Sequence, residues 1–89
     1  MKKIVEVVEI EGEGLEALLG KNVWLFCLNY IYSGKLTGVN KTCVMLENAS
    51  IVYETGSLGD ASYKDAQKLP THHYVMVSAI ESFGETKKS

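Results

Sequence analysis

Arginine is absent from this 89-residue chain, and all nine basic residues are lysine. Recognition of phosphate, carboxylate or guanine by the two-pronged guanidinium fork is therefore excluded. The two cysteines, Cys27 and Cys43, lie sixteen positions apart among apolar neighbours. That spacing matches no zinc ligand pattern and reads instead as a pair of free, sheltered thiols. No apolar stretch approaches the roughly 18 to 20 residues of a membrane span, and Glu6 interrupts the apolar segment after Met1-Lys2-Lys3. The expectation is a cytoplasmic protein with no membrane partner. Gly56-Ser57-Leu58-Gly59 lacks the Gly-Lys-Ser/Thr ending of a phosphate loop, and no serine or cysteine has a recognisable base and orienting group. Neither catalysis nor a cofactor is expected.

Charge is distributed unevenly. The first sixteen residues hold Lys2 and Lys3 against Glu6, Glu9, Glu11, Glu13 and Glu16, a balance of minus three, and the remainder is plus one. Neither part carries the basic footprint of a strong nucleic-acid binder. His72 and His73 are adjacent, so on a strand they face opposite ways and do not share a metal.

What the chain does contain is strand signal. Ile4 to Ile10 has five β-branched residues and reads as an extended segment. Gly12 and Gly14 close this extension, residues 1–14. Leu15 to Gly20 then reads as one or two helical turns with Leu15, Leu18 and Leu19 on one face. Val23 to Leu28 is apolar on both alternating faces, which requires cover on both sides. Ile31 to Val39 forms a second strand, and Asn40-Lys41-Thr42 is a tight connection to a third strand from Cys43 to about Glu54, with a bend at Glu47 to Ser50. Residues 55–71 read as one long irregular loop, with a helical turn at Tyr63 to Leu69. A fourth strand (His72 to Ser78) and a fifth (Ile80 to Phe83) follow, then a polar tail, residues 84–89, expected to be frayed.

Gly34-x-Leu36-x-Gly38 within the second strand, Ala49 in the third, and a last strand pair joined at Ser78-Ala79-Ile80 resemble the Sm-like (LSm) family over residues 15–83. The resemblance implies a mainly β fold: a short N-terminal helix and a five-stranded, strongly bent antiparallel sheet forming a small SH3-type barrel. It also implies a homo-oligomeric ring in which the fourth strand of one subunit pairs with the fifth of the next. Tyr74, Val75, Met76, Val77, Ile80 and Phe83 are then the interface candidates. Small size points the same way, since one core of this length is marginal alone.

RNA is bound in the family's central pore, and Asn40, Lys41 and Thr42 stand where the pore-lining loop would be. Thr42 and Cys43 fall where the family places a stacking residue and a second Asn, and Ser78-Ala79 replaces a cationic pair. Single-stranded RNA binding is accordingly expected to be weak, with Lys35 or the long loop contributing. A structural ring that engages only protein partners is the alternative. Tyr30, Tyr32 and Tyr53 could stack on bases, although aromatic residues in strands more often serve a core or interface.

Overall fold

The computed structural model describes residues 14–88. The expected strand at Ile4 to Ile10, and all but the last residue of the N-terminal extension, lie outside that range. Among the described residues, six antiparallel strands form one sheet: β1 (Asn22–Cys27), β2 (Ile31–Val39), β3 (Cys43–Glu54), β4 (Asp65–Lys68), β5 (His73–Met76) and β6 (Ile80–Glu85). The order is β4-β3-β2-β1-β6, with β5 also paired to β3. The sheet is bent but not closed. A single 3-10 turn at Gly14–Leu18 stands where a short helix was expected, and another at Val77–Ala79 joins β5 to β6.

The two apolar runs produce the long central strands. Val23 and Leu25 of β1, Leu36 of β2, Val44, Leu46 and Ala49 of β3, and Val75 of β5 make one continuous core. Each of the buried valine and leucine side chains contributes about 1.5 to 3 kcal/mol by leaving water. Trp24 and Phe26 point to the opposite face of β1 and are half-buried, with ring centroids 5.5 Å apart. Trp24 lies on Gly84 of β6, where an added Cβ would come within 3.1 Å of the indole nitrogen.

The bend comes from β2 and β3. A Cβ at Gly34 would meet the Glu47 carbonyl oxygen at 2.9 Å and the Ala49 Cα at 3.0 Å, so only glycine lets the two backbones approach. The register shifts between Ser33 and Lys35, opposite Glu47 to Ser50. Asn48 there adopts φ 51°, a left-handed conformation that Asn tolerates better than most residues. The bend therefore sits where the polar interruption of the third strand at Glu47 to Ser50 implied. Gly38 is different: the nearest atom to its added Cβ is Met45 Cβ at 3.5 Å, an ordinary contact.

Two expectations change on the far side of β3. Residues 55–71 are not one irregular loop, because Asp65–Lys68 pairs with the second half of β3 while His73–Met76 pairs with its first half. The two strands run in line along β3, interrupted at Leu69 to His72, where Leu69 still donates to the Ala49 carbonyl. Tyr63 to Leu69 thus supplies a strand and not a helical turn: all four β4 side chains are exposed, and the β3 edge holds the backbone extended. Residues 84–88 are also not a loose tail. Gly84 and Glu85 belong to β6, Thr86 donates to the Asn22 carbonyl at 2.9 Å, and both Thr86 and Lys88 are buried.

Candidate functional site

The β2–β3 turn carries the three residues singled out for RNA. Asn40 Oδ1 accepts from the Thr42 amide at 2.8 Å, the Thr42 hydroxyl at 3.1 Å and the Cys43 amide at 2.9 Å. The Asn40 main-chain N–H donates to the Cys43 carbonyl at 3.0 Å. Asn favours such turns because its short side chain reaches the backbone two residues on. The acceptor end of Asn40 is consequently spent on the hairpin. Asn40, Lys41 and Thr42 are all exposed.

The structure brings this turn against the β5–β6 connection: the Val77 amide donates to the Thr42 carbonyl at 2.9 Å. Ser78 and Ala79 sit in the same 3-10 turn, and Ala79 accepts from the Leu28 amide at 3.1 Å. Asn40 to Thr42 and Ser78-Ala79 are therefore neighbours. Lys41 is the lone cation among those five residues.

The six interface candidates divide by what their side chains do. Val75 is in the core, and Val77 and Ile80 pack against it. Tyr74, Met76 and Phe83 are 62%, 55% and 41% exposed, and belong to a larger set of exposed apolar side chains that includes Leu28, Tyr30, Tyr53 and Leu58. The first three lie on β5 and β6, each of which pairs on one side only among the described residues.

A second surface feature is a shallow open cleft of about 300 Å³ lined by Cys27, Asn29, Tyr30, Ile31, Val52 and Tyr53. Tyr30 and Tyr53 are half-exposed, and Tyr53 donates to Gln67 Oε1 at 3.1 Å. Tyr30 meets Tyr32 edge-on at 6.3 Å, and Tyr32 stacks on His73 at 5.3 Å. Burial pushes the Cys27 thiol up, which keeps it protonated and the opposite of an activated nucleophile. Burial likewise raises the Tyr32 phenol, with Cys27 and Tyr30 adding to the effect. Both cysteines are unpaired and half-buried. Among the described residues no group of three His, Cys, Asp or Glu side chains is placed to hold a metal, and no helix is long and apolar enough to cross a membrane.

No protein-family model matches the chain, and no curated protein does either.

One cluster was not legible in advance. Tyr63 donates to Ser33 Oγ at 2.9 Å, Ser33 donates to the Val23 carbonyl at 3.0 Å, and the Lys88 ammonium lies 4.9 Å from the Tyr63 ring centroid. Ser33 is buried in mid-strand, a position where a hydroxyl needs a partner. Nothing in the sequence separates Ser33 from the other polar residues of β2, Lys35 and Thr37, so the relay is a property of the folded chain.

Proposed function

We propose that this protein is a self-assembling module of Sm-like type whose subunits join through the free edges of β5 and β6. The observation that carries this reading is the placement of Tyr74 and Met76 on one edge strand and Phe83 on the other, each strand having one side without a partner among the described residues. Exposed edge strands are templates for pairing, and soluble monomers blunt theirs with charge, proline or bulges. β5 has none of these: between His73 and Met76 it offers Tyr, Val and Met. A contact of one edge with the other is head-to-tail and closes into a ring when the rotation per subunit divides the circle. The resemblance through Gly34, Leu36, Gly38 and Ala49 supports the same arrangement, as does a last strand pair joined by one tight turn. The mass of the assembled protein in light scattering or native mass spectrometry tests it.

A second reading, weak binding of single-stranded RNA by the ring, is favoured by the hydrogen bond from Val77 to Thr42. It places the Asn40-Lys41-Thr42 turn beside the 3-10 turn, so both loops repeat around the axis of a ring and multiply a modest contact. Lys41 supplies phosphate attraction, and Asn40 offers its amide donors, its oxygen being engaged in the turn. Fluorescence anisotropy with uridine-rich and adenine-rich oligonucleotides at about 50 mM salt, where electrostatic affinity is enhanced, separates this from a ring that binds only protein.

A further inference from the structure

Lys88 is 2% exposed, and among the described residues its ammonium forms no ion pair with a carboxylate. A buried charge without a partner is strongly unfavourable, so the compensation must come from elsewhere. Nζ donates to three main-chain carbonyls, those of Thr55 at 3.0 Å, Ser57 at 2.8 Å and Ser62 at 3.0 Å. The face of Tyr63 supplies a fourth, cation–π contact. An alkylammonium has three N–H donors arranged as a pyramid, and all three are matched.

The cage joins two ends of the fold. On one side, Thr86 Oγ1 accepts from the Lys88 amide at 3.1 Å, and the Thr86 amide is bound to Asn22 at the start of β1. On the other, Tyr63 reaches through Ser33 to the Val23 carbonyl in the same strand. Three carbonyl oxygens converging on one point repel each other unless a cation sits among them. The shape of the loop therefore depends on the ammonium.

We propose that the loop from Thr55 to Tyr63 is a binding site for a primary alkylammonium group, and that Lys88 is its resident ligand. The segment after β6 then acts as a strap that closes the loop on the sheet, and the site opens when this ammonium is withdrawn. Recognition is by pyramidal donor geometry as well as charge. A planar guanidinium carries at most two N–H groups on any one nitrogen and cannot offer three carbonyls a donor each from one apex, and a quaternary ammonium has none to give.

Hydrogen exchange on the full chain tests this with Lys88→Met, Lys88→Arg and Lys88→Gly. Lys88→Met should speed exchange of the amides between residues 55 and 63 on the order of tenfold or more, while the β2–β3 amides keep their protection. Lys88→Arg should behave like Lys88→Met despite keeping its charge. In Lys88→Gly, n-butylammonium at about 100 mM should restore loop protection and raise the melting temperature in a saturable way, and tetramethylammonium should not. Unchanged loop exchange in Lys88→Met, full protection in Lys88→Arg, or equal effects of the two ammonium ions would each overturn the proposal. Should Lys88→Met unfold outright, rescue of Lys88→Gly decides: saturable recovery with n-butylammonium supports the site, and its absence refutes it.

Discussion

The Tyr63 hydroxyl donates to Ser33 Oγ at 2.9 Å across thirty residues of sequence, and Ser33 passes the bond on to the Val23 carbonyl. This short relay fastens the loop before β4 to the middle of the sheet. Ser33→Ala leaves the phenol and a main-chain carbonyl short of a partner, so it should cost about 1 to 3 kcal/mol, whereas Tyr63→Phe should cost about 1 kcal/mol. Chemical denaturation of both single variants and the double variant measures this, and the double should be less destabilised than the sum because the residues share one interaction.

The two glycines of β2 separate sharply. Gly34→Ala drives a methyl group into the β3 backbone and should destabilise by about 1 to 3 kcal/mol, and Gly38→Ala should fall within about 0.5 kcal/mol of the parent or improve on it. Melting curves of the pair are sufficient. Equal effects at both positions would show that the bend does not depend on close approach at Gly34.

Asn40→Ala removes the acceptor of three hydrogen bonds in the β2–β3 turn and should cost about 1 to 2 kcal/mol. Asn40→Asp keeps an oxygen in that place and should lose less. Any loss of RNA binding in Asn40→Ala must accordingly be compared with Asn40→Asp, which preserves the turn while removing the amide donors. Lys41→Ala should leave stability unchanged, because its side chain is exposed, and should flatten the salt dependence of whatever RNA binding exists.

Alkaline pH acts through the half-buried Cys27 thiol and Tyr32 phenol. The folded state holds the protons of Cys27 and Tyr32 above their ordinary values of 9.0 and 10.0, whereas the unfolded chain releases them there. Their contribution is thus intact below about pH 9, and stability falls as pH rises through and beyond the ordinary thiol and phenol ranges. Tyr32→Phe keeps a ring against His73 and should lose less stability than the parent between pH 7 and about pH 11, as followed by thermal unfolding.

The central strands were legible because apolar runs and β-branched residues express their own preference. Val23 to Leu28, Ile31 to Val39 and Cys43 to Glu54 fold much as their patterns imply, and Asn48 marks the bend inside a polar interruption. β4 was not legible: Asp65-Ala66-Gln67-Lys68 has no strand propensity and no buried side chain, and is extended only because the edge of β3 imposes it. Lys88 was misread for a related reason. Near the end of the chain a lysine looks solvated, and its true partners are carbonyls 26 to 33 residues away whose convergence is a property of the folded loop. At the turn, the position of Asn40 was readable, but the saturation of its oxygen was not, since the same side chain suits either a turn or a ligand.

The edge pairing predicts that two exposed apolar side chains matter to assembly and not to folding. Replacing Tyr74 and Met76 together by lysine should leave the melting transition of the subunit cooperative and should dissociate the assembly through repulsion and a blunted edge. Size-exclusion chromatography with circular dichroism separates loss of assembly from loss of fold.

The most direct test is the mass of the unmodified protein in solution at micromolar concentration, by light scattering or native mass spectrometry. A single closed species of several identical subunits, reduced to monomer by the Tyr74 and Met76 replacements, is the expected result. A monomer at every concentration reached, with the same mass in parent and variant, would contradict it.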